Sequence, residues 1–153
     1  RNERTHLLTV GHCIVPHRLY MAVFDKREMG GFSVTVEAVR LDADIADLSV
    51  DAKLPLVPLG GDPAPGDSVT ITGWPPGGMK ARYSGRVAAL PSEDTANMLV
   101  VYAPGLDPGM SGSALFCEAQ KAVCGILIGV YNDAPVFAAA EPISRAILKQ
   151  AGD

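Results

Sequence analysis

Residues 51–67 read Asp-Ala-Lys-Leu-Pro-Leu-Val-Pro-Leu-Gly-Gly-Asp-Pro-Ala-Pro-Gly-Asp, with four prolines and three glycines. A proline lacks the N–H that a helix or a central strand needs, so this stretch ends whatever precedes it. It is read as a linker. On its N-terminal side lie short runs of apolar and polar residues bounded by turn formers: His6 to Val10, Tyr20 to Phe24, Phe32 to Leu41 and Ile45 to Val50. In the third of these, alternation holds through residues 32, 34, 36 and 38 and then shifts to 39 and 41, which predicts a bulge near Ala38. On the C-terminal side the runs resume at Ser68 to Trp74, Lys80 to Leu90, Asn97 to Ala103, Ser113 to Cys117, Val123 to Tyr131 and Val136 to Ala139. The last segment has Pro142 at a first turn and apolar residues at 143, 146 and 147, the pattern of a terminal helix. The expected division is therefore 1–50, the linker 51–67, 68–140 and a helix over 141–153. The fold class is all-β: two antiparallel barrels of the six-stranded type, the first possessing too few strands to close, and a C-terminal α-helix.

Composition excludes several functions. Of the 153 residues 48% are hydrophobic and 20% charged, enough to bury a core and unlike a disordered chain. The net charge is −4 and no run of Lys or Arg exceeds two, which disfavours nucleic acid or an anionic membrane as partner. The longest apolar run, Val123 to Tyr131, falls far short of the roughly 20 residues that cross a bilayer as a helix. Three cysteines, Cys13, Cys117 and Cys124, cannot all pair within one chain, so the redox compartment stays open.

Three motifs can carry chemistry. Leu7-Leu-Thr-Val-Gly-His12-Cys13 is an apolar strand that delivers a histidine at its end. Asp42-Ala-Asp44-Ile-Ala-Asp47-Leu-Ser-Val is a strand entered through acidic residues. Gly105-Leu-Asp-Pro-Gly109-Met-Ser111-Gly112-Ser-Ala-Leu-Phe holds a serine near two glycines just before a strand. Side chains beside a nucleophilic serine would block backbone N–H groups from the substrate oxygen, so glycines belong there. Taken singly, each motif also reads as a structural histidine, a charged turn and a glycine-rich turn. Together they follow in the order His, Asp, Ser, with the linker before the serine.

In this combination the chain resembles the trypsin-like (chymotrypsin-fold) serine proteases, and the bacterial, viral and HtrA-like branches more than the digestive enzymes. Leu-Leu-Thr-Val-Gly-His12-Cys13 resembles the family's Leu-Thr-Ala-Ala-His-Cys, Asp44-Ile-Ala-Asp-Leu its Asp-Ile-Ala-Leu-Leu, and Asp107-Pro-Gly-Met-Ser111-Gly-Ser-Ala-Leu its Gly-x-Ser-Gly-Gly. Val69-Thr-Ile-Thr-Gly-Trp74 is similar to the opening strand of the second barrel, and Cys124-Gly-Ile-Leu-Ile-Gly129-Val to the strand beside the specificity pocket. The resemblance implies a serine endopeptidase without cofactor or metal, acting on a polypeptide. It implies His12 as general base, Asp44 as its orienting carboxylate, Ser111 as nucleophile, and the N–H groups of Gly109 and Ser111 as the oxyanion hole. Gly105, Ile128, Gly129 and Val130 would line the substrate site; with glycine at 105, a small or apolar side chain is expected there rather than Lys or Arg.

The departures are informative. Asp47 stands where the family has a buried aliphatic residue, and it competes with Asp44 for the histidine. Met110 replaces the aspartate that receives a new N-terminus in digestive members, and Ser113 replaces a glycine. Cys117 and Cys124 flank a hairpin turn, compatible with a cross-strand disulfide. Cys13 is either a free buried thiol or the sign of a lost upstream strand. Counting strands before His12 leaves the first barrel two short, so an upstream segment of the same precursor or polyprotein is expected. The compartment is left open, a secreted, periplasmic or viral-polyprotein setting being favoured. Two rival readings remain: a zinc site from His6, His12, Cys13 and His17, and a catalytically silent homologue that serves as a protein-binding module.

Overall fold

The computed structural model describes residues 4–15, 18, 20–23, 31–40, 42–75, 79–107, 109–132 and 134–146. The chain divides into two units, Arg1–Leu56 and Val57–Asp153.

In the first unit four strands, β1 (Thr5–Val10), β2 (Tyr20–Val23), β3 (Gly31–Arg40) and β4 (Ile45–Val50), form an antiparallel sheet in the order β1-β4-β3-β2. Among the described residues this sheet has four strands and does not close, in keeping with a first barrel short of strands. β4 is its centre: Ile45, Ala46, Leu48, Ser49 and Val50 are all buried. The expected bulge is present one residue earlier, at Glu37, where the β3–β4 register slips between Val36 and Ala38. The bulge carries the Glu37 carboxylate to the hydroxyl of buried Ser49, which donates to it at 2.5 Å. Arg4 completes the group, with Nη2 2.7 Å from the Ser49 oxygen and 3.4 Å from Glu37. A buried hydroxyl left without partners would cost about 1–3 kcal/mol, and this one has several.

The second unit is a closed antiparallel barrel of β5 (Ser68–Gly73), β6 (Ala81–Ala89), β7 (Leu99–Tyr102), β8 (Ala114–Cys117), β9 (Ala122–Tyr131) and β10 (Ala134–Pro142), in the order β10-β7-β6-β5-β8-β9. Alternation places Val69 and Ile71 of β5 inside, with Leu99, Val101, Leu115 and Leu127 from its neighbours. Each such side chain contributes about 1.5–3 kcal/mol on burial. Closure pairs each strand with two neighbours around this core, though β8 covers β9 only as far as Ile126.

Two sequence readings change here, and the linker stretch gains contacts on both flanks. Thr5 Oγ1 donates to the Ala52 carbonyl and accepts from the Leu54 N–H in the first unit. In the second, Gly60 and Pro58 exchange backbone bonds of 2.9 Å with Val123. The last strand, expected over Val136 to Ala139, runs from Ala134 to Pro142, and only residues 143–146 are helical; the rest of the expected helix lies outside the described residues. β10 can continue through Glu141 because Arg145 grips that fully buried carboxylate at 2.8 and 2.9 Å. Finally, Cys117 and Cys124 are free thiols, not a disulfide. Cys117 stands opposite Ala122, and Cys124 falls at the bulge where the β8–β9 register shifts, with no residue directly across from it. No helix among the described residues is long and apolar enough to cross a membrane.

Candidate active site

β1 ends on buried Val10, and the chain turns through a short 3-10 segment, Gly11–Cys13, that presents His12. Gly11 is also buried, and its N–H donates to the Asp44 carbonyl at 2.9 Å. A Cβ on Gly11 would come within 3.3 Å of Asp44 Oδ1 and of Val39 Cγ1, so the close approach leaves little room for a side chain. Asp44 adopts the left-handed conformation, φ 52°, at the entry to β4. Its Oδ1 accepts the His12 backbone N–H at 2.6 Å and its Oδ2 lies 2.5 Å from His12 Nδ1. A carboxylate can only accept here, so Nδ1 carries a proton, and in the neutral tautomer this selects, Nε2 has the lone pair. The ring remains half-exposed, while Asp44 is three-quarters covered.

Asp47 has a different partner. His6 Nδ1, reaching along β1, lies 2.8 Å from Asp47 Oδ1, and the carboxylate is only 16% exposed. That contact explains how an acidic residue sits in a strand position that reads as apolar. Among the described residues no group of three or more metal-ligating side chains gathers; His6 and His12 are held by separate carboxylates, and His17 lies outside the described residues. Cys13 is exposed as a residue, yet desolvation of its sulfur and then the nearby Asp44 charge push its thiol pKa upward.

In the second unit, Ser111 lies on the loop between β7 and β8. Gly105, Gly109 and Gly112 take φ of 82°, 84° and 91°, a region that side chains with a Cβ rarely adopt. The loop is tied to β9 by Gly112 N–H to the Leu127 carbonyl and Leu127 N–H to the Ser113 carbonyl, both at 2.8 Å. Ser111 Oγ donates to the Ile128 carbonyl at 2.9 Å. Among the described residues no acceptor meets the N–H of Gly109 or of Ser111. Met110 is 2% exposed and packs into the barrel core, an apolar anchor where digestive relatives use a charge. Gly73 makes that possible: a Cβ there would stand 2.5 Å from Ser113 Oγ and 2.9 Å from Met110 Cε.

Gly105 and Gly129 face open space. β8 covers β9 only to Ile126, and beyond it Val130 is 61% exposed. Sequence reasoning missed two contacts. One is the His6–Asp47 pair, signalled only by the two residues' presence on adjoining strands. The other is the Tyr83 hydroxyl, which donates to the Asp107 carboxylate of the serine loop; its signal was an aromatic on the inward face of β6.

The structure thus brings His12 and Asp44 together in one unit, and Ser111, Gly109 and Ile128 together in the other. A family model described as trypsin-like peptidase domain matches residues 1–126. Among solved structures, the active form of the Rv3671c protease from M. tuberculosis is 20% identical with a TM-score of 0.77, covering 95% of this chain and 68% of its own. The HtrA-type protease AlgW with a decapeptide is 23% identical, TM-score 0.80, covering 93% of this chain and 46% of its own. A serine endoprotease from Yersinia pestis is 24% identical, TM-score 0.79, covering 94% of this chain and 51% of its own. The chain therefore spans about half the length of the latter two. No curated protein matches it in sequence.

Proposed function

As the chain belongs to the trypsin-like peptidase domain family, we propose that it is a serine endopeptidase working through an acyl-enzyme on Ser111, with His12 as general base and Asp44 as its orienting carboxylate. The observation that carries the assignment is the two-oxygen hold of Asp44 on His12, which fixes the ring and leaves Nε2 as the proton acceptor. In the reaction the Ser111 oxygen bonds to the scissile carbonyl carbon as its proton passes to His12 Nε2. The Gly109 and Ser111 N–H groups, without internal acceptors among the described residues, stabilise the resulting oxyanion. The C–N bond then breaks, the amine leaving with the proton from His12, and water repeats the sequence to release the acid. Asp44 stays ionised throughout and balances the imidazolium.

Substrate adds as an extended strand along the open stretch of β9, its main chain meeting Ile128, Gly129 and Val130. The Ile128 carbonyl must then exchange the Ser111 hydroxyl for a peptide N–H, which frees the nucleophile as substrate arrives. Gly105 contributes no charge to the site, so a small or apolar residue is preferred before the scissile bond over Lys or Arg. The experiment is labelling with a fluorophosphonate read by intact mass: one adduct on the wild-type protein, none on Ser111→Ala or His12→Ala. Absence of an adduct on the wild type would favour a silent homologue that binds polypeptides without cleaving them.

A further inference from the structure

The loop that carries Ser111 poses a mechanical problem. Between Ala103 and Ser113 it holds three glycines in the left-handed region, so its own backbone does little to hold one conformation. Three anchors restrain it. Leu106 packs on the barrel core, Met110 is buried beside Gly73, and between them the carboxylate of Asp107 accepts the hydroxyl of Tyr83. Asp107 is two residues before Gly109 and is the only charged side chain in residues 103–113.

Tyr83 is built for a task beyond packing. It lies on the inward face of β6, opposite Ile71 of β5, and its ring joins the core cluster. A phenylalanine would fill that place equally well; the hydroxyl serves only Asp107. Without it, the serine loop would lose the bond that ties it to β6 two residues before Gly109.

We propose that Tyr83 is a positioning residue for oxyanion stabilisation, acting through Asp107: its O–H tethers the serine loop to β6 and so fixes the approach to Gly109. The inference rests on the reading of Ser111 as nucleophile. The same hydrogen bond raises the Tyr83 pKa above the usual phenol range, because ionisation would lose the bond and set a phenolate beside a carboxylate. The donor therefore persists at neutral and mildly alkaline pH.

The test compares Tyr83→Phe, Asp107→Ala and Asp107→Asn with the wild type, using a peptide substrate and a peptide boronate, which mimics the tetrahedral adduct on serine. Losing a partly compensated oxyanion contact is expected to lower kcat about tenfold, against the 100-fold or more typical of deleting a donor outright. Tyr83→Phe and Asp107→Ala should share that loss, with KM within about twofold and boronate affinity falling in parallel with kcat. Asp107→Asn, which can still accept the Tyr83 proton without carrying a charge, should restore most of it. A packing role would not split kcat from KM, nor be rescued by asparagine. Wild-type kcat in Tyr83→Phe, or an equal loss in Asp107→Asn, overturns the proposal. Should Tyr83→Phe fail to fold, Asp107→Ala, a change at an exposed residue, decides alone by the same criteria. Fluorophosphonate labelling of the wild type reads the foundation separately: with no adduct, the nucleophile assignment falls and this proposal with it, whereas an adduct together with unchanged kcat in Tyr83→Phe removes this proposal only.

Discussion

Asp44 meets His12 twice, taking the backbone N–H on one oxygen at 2.6 Å and the ring Nδ1 on the other at 2.5 Å. The side chain and the main chain of the histidine are thereby locked to one carboxylate, so the ring cannot tilt without losing a bond. Asp44→Asn keeps the shape but puts an amide where two acceptors stood. It is expected to leave the melting temperature within a few degrees and to cut kcat/KM by roughly 10⁴-fold. An Asp47 variant separates the two acids. Asp47→Leu removes a partner only from exposed His6 and should keep full activity, with stability altered by about 1 kcal/mol at most. Loss of activity in Asp47→Leu with retention in Asp44→Asn would reverse the assignment.

Proton transfer from Ser111 requires the lone pair of His12 Nε2, so His12→Ala should lose turnover to about the same extent as Ser111→Ala; wild-type turnover in His12→Ala would contradict a general-base role for His12.

Glu141 has no exposed surface and depends on the two bonds from Arg145. Arg145→Met would strand a buried carboxylate and should cost about 3–5 kcal/mol in urea unfolding. The double variant with Glu141→Gln should recover a large part of that, since an amide tolerates burial better than an unpaired charge. No recovery would mean that Arg145 matters through its bond to the Asn97 carbonyl instead.

Burial, reinforced by the adjacent Cys117, pushes the Cys124 thiol from an ordinary 9.0 up to about 12. Between these values the unfolded chain gives up this proton while the folded chain keeps it. The contribution to stability is therefore complete below about pH 9 and is lost as pH rises toward about 12. Unfolding free energies across that interval should fall less steeply for Cys124→Ala than for the wild type, even though the variant is less stable at neutral pH. Identical slopes would show that other groups set the alkaline limit.

Much of this was readable from residue types and spacing. Ile45 to Val50 was located to the residue because a mostly buried central strand is mostly apolar, its two polar residues, Asp47 and Ser49, each having a partner. His12, Asp44 and Ser111 stood out as candidates because each sits at a strand end or in a glycine-flanked turn, where local sequence is informative. What stayed hidden depended on register. That Cys117 stands opposite Ala122 and meets Cys124 only on a diagonal, as two adjacent buried free thiols, depends on the β8–β9 register, which spacing does not reveal. That Glu141 belongs to a strand depends on a guanidinium four residues later, and that Asp47 is tolerated depends on an imidazole on the neighbouring strand. Tyr83 and Asp107, 24 residues apart in sequence, meet only once the barrel closes.

The extra residue at Glu37 sets the phase of β3. Upstream of it Val34 and Val36 pair with Val50 and Leu48; downstream, Val39 pairs with Ala46, on the same face despite the odd interval. Were Glu37 paired as an ordinary strand residue, with no bulge, the change would act as a frameshift in three dimensions, sending Val39 to the opposite side of the sheet and Ala38 into its place. Val39 is the side chain that abuts Gly11, immediately before His12. A one-residue irregularity in a strand with no chemical role thus governs the floor beneath the histidine, and deleting Glu37 itself, which takes the bulge with it, should keep Val39 opposite Ala46 and spare the site.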